Sequence, residues 1–210
     1  MVKTIVNEVD CLPLAVELLA KRAKKVEKLN DLYRQWQKTR NDFLSKGGDK
    51  NTNLNISISF SYENTRLSET NRAFLQALGY LPQGMNRQDL EIIFDDAYDQ
   101  IEILKEVGLC EETEQARLWV LAPIREYLKP KTVPDHSLIA QIQDFYLDLS
   151  KEKGENVGLE EKQCPILLQT EWTNIIKVIT DTLATQKGID TLFSLTLYCQ
   201  FTRFLPNRFI

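Results

Sequence analysis

Residues Leu67 to Leu128 read LSETNRAFLQALGYLPQGMNRQDLEIIFDDAYDQIEILKEVGLCEETEQARLWVLAPIREYL, and the fold is decided there. Ser68 stands where a helix N-cap belongs, with Ala73, Phe74, Ala77 and Leu78 following on one helical face. Gly79 sits where a helix takes a left-handed C′ residue, and Leu81-Pro82 turns the chain. Asn86 caps a short helix carrying Leu90, Ile93 and Phe94. A third helix, from about Ala97 to Val107, buries Ile101, Leu104 and Val107 and stops at Gly108. Leu109-Cys110, the polar run Glu111 to Gln115 and the apolar run Leu118 to Leu121 predict a two-stranded hairpin with a charged tip. Pro123 opens a closing helix over Ile124 to Leu128.

Three amphipathic helices, a hairpin and a closing helix are the plan of a winged helix. Before it, Asp10 is placed to cap a helix with Pro13 in its first turn and Leu12, Ala15, Val16, Leu19, Ala23 and Val26 on one stripe. Met1 to Val9 shows no clear period. Lys21, Arg22, Lys24, Lys25 and Lys28 gather at the C-terminal end of that helix, where its dipole favours cations; a phosphate-contacting patch is the other reading. A second helix, about Leu29 to Leu44, turns Leu32, Tyr33, Trp36, Arg40 and Phe43 to one side, and Gly47 to Asn53 breaks the pattern as an inter-domain loop. Asn55 to Tyr62, N-I-S-I-S-F-S-Y, alternates as a half-buried strand does.

Beyond the winged helix, Lys129 to Pro134 (KPKTVP) is a stiff link, because each proline fixes a φ angle. Asp135 starts a helix with Leu138, Ile139, Ile142, Tyr146 and Leu149 inward, and the charged run Lys151 to Gln163 predicts an exposed loop. Leu168, Trp172, Ile175, Ile176, Ile179 and Leu183 define a long helix ending near Gly188, with a partner helix from Ile189 to Phe204. Phe201, Phe204, Leu205, Phe209 and Ile210 leave an apolar face bare, as at the start of a stacked helical array.

Composition narrows the function classes. Hydrophobic residues make up 43% and charged residues 27% of the 210, within the globular range, and the net charge of -4 disfavours a dedicated nucleic-acid binder. Cys11, Cys110, Cys164 and Cys199 form no C-x-x-C pair, and His136 is the single histidine, so a structural zinc site is not expected. Reduced, mostly buried thiols, the lack of a signal-peptide core and the lack of a membrane-length apolar run predict a soluble cytoplasmic protein. Asp95-Asp96 and Glu111-Glu112 read as solvated charge rather than a metal or acid–base pair. His136 and Ser137 are neighbours on a helix and do not face each other as a triad would.

Leu12-Pro13-Leu14-Ala15 resembles the G-L-P-L-A element of the NB-ARC (AP-ATPase) class of STAND NTPases, with Cys11 where the family usually has glycine. Ile56-Ser57-Ile58-Ser59, the helix with Phe74-Leu75 and the run Leu78-Gly79-Tyr80-Leu81-Pro82 are similar to the opening of that family's winged-helix domain. On that ground a helix is expected over Asn55 to Tyr62. Ile124-Arg125-Glu126-Tyr127 resembles the family's V-R-E-Y segment after its M-H-D motif, which puts Val120, Leu121 and Ala122 at the M-H-D positions without the histidine. The variant L-A-P-I-R-E-Y is similar to fungal members with helical-repeat tails.

The resemblance implies a mainly α chain: a helical lid piece at 1–47, a winged-helix domain with a small β-hairpin at 54–130, and the start of a truncated helical (TPR-like) array at 135–210. It implies that Pro13, with Leu12, lies on the adenine side of the nucleotide in a longer parent. No G-x-x-x-x-G-K-[ST] is present, so this chain is expected to have no ATPase activity and no cofactor of its own, while ADP or ATP with Mg belongs to the parent. The implied partners are the nucleotide-binding domain, other proteins through the helical tail and a second copy on activation, without membrane or nucleic acid. The alternative is a winged-helix DNA-binding regulator. Against it, Asn86 to Val107 carries Arg87 and Lys105 among Asp89, Glu91, Asp95, Asp96, Asp99, Glu102 and Glu106. A self-contained enzyme lacks any assembled nucleophile, base and oxyanion site.

Overall fold

A computed structural model describes residues 2–45, 53–64, 66–129, 136–155 and 163–202. Most of the expected Gly47–Asn53 loop, the link from Pro130 to Asp135, the terminal residues Phe204 to Ile210 and the side chains of Cys164, Cys199 and Phe201 lie outside the described residues. Within them the protein is mainly helical, with one small three-stranded sheet.

Four helices come first: α1 (Val2–Glu8), α2 (Pro13–Ala23), α3 (Leu29–Ser45) and α4 (Asn53–Tyr62). Helix α4 explains the alternating serines. Ile56 and Phe60, one turn apart, pack with Ile5, Val9, Ala15, Leu19, Leu32 and Trp36. Ile58 and Tyr62 lie two residues on, about 200° round the helix, and join the larger core of the chain. Ser57, Ser59 and Ser61 fill the remaining sides and are buried too. A helix covered all round loses its amphipathic signature, and its two opposed apolar rows mimic the period of a strand. The helix implied by the resemblance is therefore present. Helix α1 escaped the sequence reading because its seven residues are too few to display a period and only Ile5 among them is buried. Asp10 does not cap α2. Leu12 does, without a side-chain hydrogen bond, and the Asp10 carboxylate instead accepts from Asn53 Nδ2 at 2.6 Å.

Helix α5 (Glu69–Tyr80) opens on the expected cap. Asn71 N donates to Ser68 Oγ at 3.1 Å, and Ser68 N donates to Asn71 Oδ1 at 2.8 Å. Its end corrects the sequence reading: α5 continues through Gly79 and stops at Leu81, which is extended ahead of Pro82. The left-handed glycine is Gly84, φ 65°, where a Cβ would lie 1.9 Å from the Leu118 carbonyl oxygen. Gly84 leads into β1 (Met85–Asn86), followed by α6 (Arg87–Ile93), α7 (Ala97–Val107), β2 (Glu111–Glu112), β3 (Arg117–Trp119) and α8 (Ala122–Leu128). Asn86 caps α6 and Gly108, φ 83°, ends α7, both as expected. The sheet has three strands rather than two, ordered β1-β3-β2 and antiparallel throughout, with Met85 opposite Leu118 and Glu111 opposite Trp119. Two residues of β1 are too few to show alternation.

Helices α9 (His136–Glu155), α10 (Gln163–Thr182) and α11 (Gln186–Thr202) pack mutually behind this unit. Ile142, Tyr146, Leu168, Ile175, Val178 and Leu195 join the same core as α5 to α8. Helix α9 runs through Gly154 into the stretch expected as a loop. Helix α10 ends at Thr182, not near Gly188. Gly188 lies in the first turn of α11, where a Cβ would meet the Thr182 carbonyl oxygen at 2.3 Å, so the tight α10–α11 reversal requires glycine. Leu183, expected inward, is 44% exposed in that reversal, and Trp172 is only half-buried.

Candidate functional site

The Leu12-Pro13 element stands at the tip of a strained turn. Asp10 and Cys11 both hold φ 54°, a left-handed conformation that side chains beyond glycine adopt at a cost. Backbone bonds from Cys11 N to the Val6 oxygen and from Leu12 N to the Val9 oxygen close the turn. Pro13 takes the first helical position, and both Leu12 and Pro13 face outward, while Ala15 two residues on is buried. Three of the five neighbouring cations are engaged: Lys21 pairs with Glu17 at 2.9 Å, Lys25 pairs with Glu106, and Arg22 lies over the Phe60 ring at 4.6 Å, while Lys24 and Lys28 are exposed.

At the M-H-D positions, Val120 is buried, Leu121 is the N-cap residue of α8 and packs on the core, and Ala122 is exposed. No side chain there offers a donor to a phosphate. Helix α4 contacts both the Pro13 helix α2 and α8, which follows this segment.

The two cations of α6 and α7 are consumed within the protein. Arg87 pairs with Glu91 at 2.9 Å, Glu102 at 3.0 Å and Glu112 at 3.4 Å, and Lys105 pairs with Glu102 and Glu112. Hydrogen bonding by Lys105 outweighs burial and holds the Glu112 carboxyl below its ordinary range. Glu112 is therefore an ion-pair partner in β2 rather than solvated charge at the wing tip, which corrects the sequence reading. Asp95 and Asp96 are exposed at the start of α7, with Asp96 accepting from Gln100 at 2.8 Å. His136 is exposed at the start of α9.

A buried polar junction was not found from sequence. Arg117 of β3 donates both terminal nitrogens to Glu171 of α10, Nη2 to Oε2 at 2.8 Å. Glu171 also accepts from Tyr146 Oη at 2.8 Å and from Asn174 Nδ2 at 3.1 Å. Arg117 and Asn174 converge on the Gln83-Gly84 turn: Arg117 Nε donates to the Gln83 oxygen at 2.7 Å, Asn174 Nδ2 to the Gly84 oxygen at 2.8 Å, and Gln83 N to Asn174 Oδ1 at 3.1 Å. Burial pushes the Glu171 carboxyl up, but Arg117, Tyr146 and Asn174 together outweigh it and hold the acid ionised below the ordinary carboxylate range. Burial and the adjacent Glu171 charge raise the Tyr146 phenol. The available signal was polar Glu171 and Asn174, three apart, on the face of Leu168, Ile175 and Val178.

Chemistry is sparse. Among the described residues no three His, Cys, Asp or Glu side chains form a metal-binding group, and no helix is long and apolar enough to cross a membrane. Cys110 is buried, which pushes its thiol up to about 12, and Cys11 is exposed. No family model, no curated protein and no solved structure matches the chain. The functional reading therefore rests on the residues quoted above and on their geometry.

Proposed function

We propose that the chain is a regulatory and protein-interacting module of a nucleotide-controlled STAND-type switch: lid helices, a winged helix and the beginning of a helical sensor. The observation that carries the reading is Cys11. It holds φ 54° at the position where the resembling families place glycine, directly before an outward-facing Leu12-Pro13. A left-handed residue there is what a glycine in that motif would supply, and an exposed first-turn proline is free to meet an adenine ring. The order α5, β1, α6, α7, β2, β3 supports the winged-helix assignment. In this reading ADP holds the winged helix against a nucleotide-binding domain, and ATP releases it.

The DNA-binding alternative is opposed by Arg87 and Lys105, whose charges are already neutralised by Glu91, Glu102 and Glu112. Exposed Ile92 and Tyr98 among acidic neighbours suit a protein surface better than a phosphate backbone.

The test is titration calorimetry of Mg-ATP and ADP into the chain with phosphate release followed in parallel. Neither turnover nor tight binding is expected, and tight Mg-ATP binding overturns the proposal. The positive arm uses a P-loop domain, if one is encoded in frame with the chain. Expressed together, the two are expected to retain ADP, and Pro13→Ala to weaken that retention roughly tenfold. Retention of the chain on duplex DNA, falling steeply with salt, transfers it to the DNA-binding class.

A further inference from the structure

A cavity of about 380 Å³ opens where α5 and α8 meet α9 and α10. That size lies in the range of small-molecule sites, roughly 300–1,000 Å³. Tyr80, Pro82, Leu128 and Ile139 give it apolar walls, Gly79 contributes bare backbone, and Gln76 adds a polar side chain. None of these residues belongs to the Pro13 edge or to the Arg117–Glu171 junction.

The charges at its rim are unequal. Lys129 pairs with Glu126 at 2.6 Å, and Lys177 pairs with Asp181 while lying 4.5 Å from the centre of the Tyr80 ring. Arg125 has no acidic partner among the described residues. Its Nη1 donates to the Leu81 and Pro82 carbonyls at 3.3 and 2.6 Å, which fixes the guanidinium against the wall. Those acceptors are neutral and leave Nε and Nη2 as donors. A half-buried guanidinium without a counter-charge among the described residues, beside apolar walls, is complementary to an anion carrying an apolar body.

We infer that this cavity binds a small amphipathic carboxylate, its apolar body over Gly79 and between Tyr80 and Leu128, its carboxylate on Arg125. Such a ligand bridges α5 and α8 to α9 and α10, and its binding stabilises the folded chain with the logarithm of its concentration above Kd. The inference is independent of the STAND reading.

The test is amide-resolved NMR titration of the chain with octanoate and with naphthoate, against octanol and naphthamide as uncharged counterparts. At least one acid is expected to bind saturably, one-to-one, with shifts at Gly79, Arg125 and Leu128, and roughly tenfold more tightly than its neutral counterpart. Arg125→Gln, which keeps donors for the two carbonyls, is expected to erase that preference. Gly79→Leu fills the cavity and is expected to abolish binding. A Cβ at Gly79 makes only ordinary contacts, 3.7 Å to Arg125 Cγ and 3.9 Å to Leu128 Cδ1, so a side chain can start there without a backbone clash, and the dispersion of the amide spectrum of Gly79→Leu checks that the fold is kept. Binding of neither acid, equal affinity for acid and neutral compound, shifts mapping elsewhere, or undiminished binding by Gly79→Leu each overturns the inference. The comparison of acid with neutral compound needs no variant and stands if Arg125→Gln fails to fold.

Discussion

Glu8 and Glu171 each gather several side chains round one carboxylate, and they do so in different surroundings. Glu8 joins α1 to α3: it accepts from Tyr33 Oη and Trp36 Nε1, each at 3.0 Å, and from Gln37 Nε2 at 2.9 Å. Its side chain keeps 21% exposure, and its one cation, Arg40, stays 3.8 Å away. Glu171 joins a strand to a helical bundle at 7% exposure, against a guanidinium that donates twice. Water can replace partners round Glu8. Round Glu171 little water reaches, so loss of the acid leaves a largely covered cation without its counter-charge. One geometry is a wet clasp; the other binds two parts of the fold with few solvated alternatives.

The largest expected effect follows from that difference. Glu171→Ala is expected to lower unfolding free energy by about 3 kcal/mol, measured by urea denaturation, because the largely covered Arg117 loses its counter-charge. The double change Arg117→Met with Glu171→Leu is expected to recover most of that loss; no recovery would mean that the packing of α10, not the charge, sets the cost. Gly84→Ala tests the same junction from its backbone side. The positive φ and the clash with β3 are expected to cost at least about 2–3 kcal/mol. Glu8→Ala, at the wetter site, is expected to cost about 1–2 kcal/mol. A loss as large as that of Glu171→Ala would erase the contrast between the two sites. The smallest effect is in pH. The Glu171 carboxyl is held below its ordinary value, so its contribution is present above the ordinary carboxylate range and is lost as pH falls through the folded value. Acid titration of stability is therefore expected to be shallower in Glu171→Gln than in the unmodified chain, below about pH 4.3.

Much of the helical order was legible because α5, α6 and α7 are amphipathic and carry local punctuation: Ser68, Asn86 and Gly108 act as caps where they stand. Gly79 misled for a physical reason. A glycine after an apolar helical face looks like a stop, but here Pro82 and the extended Leu81 end the helix, and the turn is made by Gly84. The break between α10 and α11 was hidden because Leu183 and Ile189 continue the apolar pattern across the reversal, where both are exposed. The site was less legible than the fold. Leu12 and Pro13 are candidates by resemblance alone, and they face outward, whereas the Arg117–Glu171 junction depends on residues 54 positions apart. No local period reports a pair at that separation.

Helix α4 carries one more consequence. Its Ile56–Phe60 row is set in one core and its Ile58–Tyr62 row in another, so the rod cannot roll on one bed without prising at the other. Close-packed interiors yield in steps rather than by smooth deformation. A substitution in the Ile56–Phe60 row is therefore expected to be felt at the far row, where Tyr62 meets the Tyr127 ring of α8.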